Sequence, residues 1–142
     1  MFFKKKIQSD KPNFEKMTPV EAVTYLFVFV MLSDNQGSYE EKESWRLSIS
    51  KLFPDNLESR TEIFFNEANL VINKYKKDKR EIFLDNICRT INNLLNKEKI
   101  EKLGPMLNHL IESDGIIMSS EINATVIIEK KLNIIIRSNK NS

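Results

Sequence analysis

With 142 residues, 41% of them hydrophobic, the chain can build one core of ordinary size but not two. Three glycines and four prolines are too few for a sheet turned by tight hairpins, so a single all-α domain is expected. The 22 basic and 20 acidic residues leave a formal charge of +2, which gives no field to hold the protein on nucleic acid, and a single cysteine excludes an intrachain disulfide.

The N-terminal "MFFKKKIQSDKPNF" has lysines but no apolar segment and cleavage site behind them, so no secretory signal is expected and the cytoplasm is the expected location. Residues 1–17 read as a solvated tail, with Lys4 to Lys6 beside Phe2 and Phe3 giving only a weak case for a membrane-surface contact. Thr18-Pro19-Val20-Glu21 then supplies a cap hydroxyl, a proline at the first helical position and a glutamate three residues after the cap, which together start a helix. Val20, Val23, Phe27, Val30 and Met31 keep helical spacing. Leu26 and Phe29 widen the stripe until the helix must be covered on most sides, which makes it central. Its apolar run, Ala22 to Leu32, is well short of the about 20 residues that cross a bilayer, so no stable membrane insertion is expected.

Ser38-Tyr39-Glu40-Glu41 is a second capping box, leading into Trp45, Ile49, Leu52 and Phe53 before Pro54 stops the element. A longer helix is predicted from Glu58 to about Lys77, with Ile63, Phe64, Ala68, Val71, Ile72 and Tyr75 on its apolar side. "NKYKKDKR", from Asn73 to Arg80, reads as a charged junction between helices rather than a nucleic-acid grip built around Tyr75. Asp78 to Glu81 signals the next start, followed by Ile82, Phe83, Ile87, Ile91, Leu94 and Leu95. Cys88 falls among these apolar residues as a small buried hydrophobe. In the following segment Gly104-Pro105 predicts a kink or two short helices. The last helix is expected over Ser119 to Ile136, carrying Ile122, Val126, Ile127, Leu132 and Ile135, with residues 137–142 as a loose tail. The sum is one bundle of six to seven helices over residues 18–136, with no internal boundary.

Two junctions share a pattern. "LSDNQGSYEE" and "IESDGIIMSSE" each close an apolar helix on an aspartate and place a glutamate seven positions later: Asp34 with Glu41, and Asp114 with Glu121. The flanking segments therefore look like two related helical hairpins. The later copy, Asp114, Gly115, Ile117, Glu121 and Ile122, resembles the motif of the tellurite-resistance protein B-like (TerB-like) domains. The earlier copy keeps Asp34 and Glu41, but has Asn35 where glycine is usual and Gly37 where an apolar residue is. The resemblance spans about residues 18–136. It implies an all-helical fold of about seven helices, acidic positions that bind a divalent cation, and a bacterial setting of stress response or tellurite resistance.

The chemistry of these carboxylates is consistent with that implication. Ca²⁺ and Mg²⁺ take several oxygen ligands, and Asp34, Glu41, Asp114 and Glu121 supply them if the two hairpins pack face to face. The segments lack the alternating ligands of an EF-hand. One Cys88 and one His109 are too few soft ligands for zinc. Local capping explains the same residues without metal: Glu41 as partner of Ser38 at a helix N-terminus, and Asp114 with Gly115 as a turn. His109, in "MLNHLIE", has no serine or cysteine beside it in sequence and reads as a helix histidine with its bonds satisfied, so no enzyme is expected. Two function classes stay open: a stress-associated accessory domain that binds a cation or a partner protein through the acidic junctions, and a metal-free scaffold for protein partners.

Overall fold

A computed structural model describes residues 12–33, 39–56, 58–113 and 119–136. Among these there are six α-helices and no strand: α1 Pro19–Leu32, α2 Tyr39–Leu52, α3 Glu58–Lys74, α4 Arg80–Leu94, α5 Lys97–Glu112 and α6 Ser119–Leu132. Short 3-10 turns stand at Phe14–Lys16 and Lys77–Lys79.

Helix α1 starts as its sequence predicts. The Thr18 hydroxyl accepts the Glu21 N–H at 3.2 Å, the Glu21 carboxylate accepts the Thr18 N–H at 3.4 Å, and Pro19 holds the first helical position. Every residue from Ala22 to Leu32 is buried, and α1 packs against each of the other five helices. A helix apolar on all sides has no face to give to water, so the rest of the chain wraps it. Polar atoms in this run have partners or a place: Thr24 accepts the indole N–H of the fully buried Trp45 at 3.2 Å, and the Tyr25 ring stacks with Phe83 at 6.3 Å. Ahead of α1, Met17 is buried and Phe14 meets Phe83 edge-on at 5.6 Å.

Helix α3 turns a different face to the core from the one its spacing suggests. Thr61, Phe65, Ala68, Val71 and Ile72 point inward, while Ile63 is 56% exposed and Phe64 only half-buried. Adjacent phenylalanines leave the stripe ambiguous by one residue. Contact between Trp45 and Phe65, at 4.5 Å between ring centroids, selects the second one. The helix also ends at Lys74 rather than Lys77, and Tyr75 packs edge-on against Phe83 at 4.4 Å. The basic stretch around it is thus a junction whose aromatic ring is already engaged.

Asp78 does not cap α4. It sits inside the 3-10 turn, the cap position falls on Lys79 without a side-chain bond, and the Lys79 N–H is satisfied by the Lys76 carbonyl at 2.9 Å. The core face of α4 is Phe83, Leu84, Ile87, Cys88 and Ile91; Ile82 points outward.

Helix α5 runs unbroken from Lys97 to Glu112 through Gly104-Pro105, in place of two shorter helices. Pro105 lies on the exposed side, where water can serve the carbonyl that loses its helical N–H. Gly104 has a separate reason. A Cβ there would stand 2.2 Å from the carbonyl oxygen of Ile135, in the segment that follows α6. That segment is not helical as expected: α6 stops at Leu132, Asn133 takes the left-handed conformation at φ 59°, and the Ile134 N–H reaches back to the Glu129 carbonyl at 3.2 Å. Ile134 and Ile136 then turn into the core, with the Ile136 N–H donating to the Glu129 carboxylate at 2.8 Å.

Two neighbouring substitutions should act with opposite sign. Gly104→Ala is expected to cost about 1–3 kcal/mol, because backbone must move to admit the methyl group. Pro105→Ala restores a helical N–H at an exposed position and should raise the melting temperature. Paired thermal melts check both. Burial also pushes the Cys88 thiol up from its ordinary 9.0 to about 12, with the Asp85 charge adding to the effect. The stability tied to the neutral thiol is therefore fully present below pH 9 and is lost as pH rises toward 12. In native protein at neutral pH, Cys88 should resist a thiol-specific disulfide reagent that labels it stoichiometrically in denaturant.

Candidate functional site

The helix ends that flank the two junctions are built alike, with a constant shift of 80 positions between them. Helix α1 ends at Leu32 and α5 at Glu112. In each case a serine follows in right-handed helical geometry: Ser33 donates its hydroxyl to the Val30 carbonyl at 2.6 Å, and Ser113 donates to the Leu110 carbonyl at 2.7 Å. The next helices, α2 and α6, both span 14 residues, and Glu41 and Glu121 are each the third.

Burial follows the same register. On α2 the residues Ser44, Trp45, Ser48 and Leu52 are buried; at the matching positions of α6 so are Ala124, Thr125, Ile128 and Leu132. The equivalence in the sequence is thus Ser44 with Ala124, rather than Trp45 with Ala124 as apolar character suggests. Small polar side chains occupy core positions on α2, and the predicted Ile122 and Val126 of α6 are exposed.

Of the four predicted ligands, the structure describes only the Glu41 side chain. Asp34 and Asp114 lie outside the described residues, as do the side chain of Glu121 and the predicted cap Ser38. Among the described residues no three His, Cys, Asp or Glu side chains gather into a metal-holding group. Glu41 itself is 0% exposed. A carboxylate in the first turn of a helix gains about 0.3–1 kcal/mol from the helix dipole, up to about 2 in a favourable buried geometry. Burying its charge costs several kcal/mol. The dipole alone does not offset that cost, so hydrogen bonds, positive charge or a bound proton must contribute at this position.

Polar links around Glu41 tie α2 to its neighbours. On the α3 side, Glu62 receives Lys42 at 3.2 Å and Arg46, which also bonds Glu43. Burial pushes the Glu62 carboxyl up, but hydrogen bonds from Arg46 and Lys42 outweigh it and hold the group below the usual carboxylate range. On the α5 side, Ser44 Oγ and His109 Nδ1 are hydrogen-bonded at 2.8 Å. Sequence reasoning missed this pair, which joins positions 65 residues apart. Only the helical register, placing Ser44 one turn after Glu41 on the face toward α5, carries a signal for it. Ser44 is 2% exposed, which suits a link between helices better than a nucleophile that must reach a substrate.

No helix of the described residues is long and apolar enough to cross a membrane. Comparison of the chain with protein-family models, with curated proteins and with solved structures finds no match.

Proposed function

We propose that this chain is a non-enzymatic, TerB-like accessory domain of the bacterial cytoplasm, acting in a stress response and binding Ca²⁺ or Mg²⁺ through Asp34, Glu41, Asp114 and Glu121. The observation that supports this most is the duplicated helix pair, which puts Glu41 and Glu121 at the same third position of two 14-residue helices. A divalent cation takes several oxygen ligands, and carboxylates from two related helix starts are a source of them. The packing of α2 on α5 and of α1 on α6 agrees with it, since it brings the two hairpins into direct contact. Other proteins are the expected partners.

A metal-free scaffold is the second reading, favoured by a different observation: Ile63 and Leu70, two turns apart on α3, are both more than half exposed. The two readings separate in a thermal melt. If a cation binds the native state, a concentration one hundred times its Kd adds about 2.7 kcal/mol of stability. The wild-type melting temperature should then rise with Ca²⁺ or Mg²⁺. A variant combining Asp34→Asn, Glu41→Gln, Asp114→Asn and Glu121→Gln should not respond. A wild-type melt indifferent to both ions leaves the scaffold.

A further inference from the structure

Helices α2 and α5 meet along matching stripes. Ser44, Leu47, Ser48 and Lys51 recur at three- and four-residue spacing on one; Lys102, Pro105, Met106 and His109 do so on the other, and an open groove of about 330 Å³ lies between them. That volume falls at the small end of the range for sites that hold small molecules, about 300–1,000 Å³. The wall is mixed in a specific way. Leu47, which is 56% exposed, and Met106 give it an apolar side, while Lys51 and Lys102 approach from opposite helices. Among the described residues no carboxylate lines it.

The neighbouring groove between α2 and α3 is a useful contrast. It too contains a cation, Arg46, but Glu43 and Glu62 line the same space and neutralise it. Charge complementarity for an anion therefore exists on the α5 side of α2 and not on the α3 side.

The ligand's chemistry follows from the donors. His109 is held through Nδ1 by Ser44, which leaves Nε2 as the ring's other polar atom. The Ser44–His109 pair closes one end of the groove, and Lys51 and Lys102 stand two helical turns, about 10 Å, away at the other. Two ammonium groups and the Ser48 hydroxyl are separate point donors, which suits the several oxygens of a phosphate; a carboxylate is better served by the planar fork of an arginine, and no arginine lines the groove among the described residues. We propose that this groove binds a small organic phosphate, with the phosphate at the Lys51 and Lys102 end and an apolar body against Leu47 and Met106, toward His109. The site is independent of the proposed cation and begins one helical turn beyond Glu41.

An amide-detected NMR titration of the full chain in buffer containing EDTA tests it, with phenyl phosphate as probe and inorganic phosphate and phenol as its two halves. Phenyl phosphate should give saturable shifts centred on residues 44–51 and 102–109 and bind at least about threefold tighter than inorganic phosphate. Phenol should give none there. The double variant Lys51→Gln/Lys102→Gln, exposed at both positions and so expected to keep its amide spectrum, should bind phenyl phosphate about tenfold more weakly. Shifts that fail to saturate, shifts scattered over other surface lysines, or unchanged affinity in the double variant would overturn the assignment. So would co-sedimentation with phosphatidic acid vesicles that the double variant abolishes while phenyl phosphate leaves the spectrum unmoved, since the groove would then serve a membrane headgroup.

Discussion

Helix α1 sets the conditions for everything around it. Eleven consecutive residues, Ala22 to Leu32, are buried on every side. At about 1.5–3 kcal/mol for a fully buried large apolar side chain, this one element accounts for a large share of the apolar drive to fold. It also fixes the topology. A helix that must be enclosed needs neighbours all round, and α2 to α6 each give it a face. The two residues that seem to interrupt its apolar run are adapted to enclosure. Thr24 satisfies the Trp45 indole, and Tyr25 joins Phe29 in stacking on Phe83. Burial pushes the Tyr25 hydroxyl well above its usual range, so the group stays neutral where a charge would be costly.

The internal repeat is visible in packing as well as in sequence. Ser33 and Ser113 close their helices with the same hydroxyl-to-carbonyl bond, and the helices that follow bury the same offsets. Yet the copies have diverged in what fills those offsets. Where α6 uses Ala124, Thr125 and Ile128, α2 uses Ser44, Trp45 and Ser48. The two hairpins share a frame but not the side chains that fill it.

What could be read from the sequence divides along physical lines. The existence and order of the helices were legible because long apolar periodicity and the Thr18 cap are local signals, and that cap forms; the Asn96 cap of α5, which accepts the Lys99 N–H at 2.8 Å, was not read from the sequence. Facing was harder. It failed at Phe64 and Phe65, where two large side chains in succession leave the choice to a distant partner, Trp45. Gly104-Pro105 looks like a break, but glycine serves there as a gap for the Ile135 carbonyl, a contact no local pattern encodes. The end of α6 was misplaced because "NIII" continues the apolar run, while Asn133 in a left-handed conformation sends Ile134 and Ile136 into the core by another route. At the candidate site, the spacing of the acids was plain in sequence. The burial of Glu41 was not, nor was the Ser44–His109 pair, which depends on how closely α2 approaches α5.

The stripe of α2 toward α5 runs from Ser44 through Ser48 to Lys51, two hydroxyls and an ammonium at helical spacing. Helices separated by leucines at every contact stand about 8–10 Å apart, and small residues at the contact favour the lower end of that range. Serines on α2 thus bring polar backbone and side chains close to α5 without filling the space between the outer rims, where Leu47 and Met106 stand. An apolar stripe in their place would pack more tightly and stabilise the bundle more. Retaining hydroxyls costs some of that burial and leaves an opening with Ser44 and His109 at one end and the exposed Lys51 and Lys102 at the other. A structural role alone explains the Ser44–His109 link; it does not explain why this stripe, unlike its counterpart on α6, is polar along most of its length.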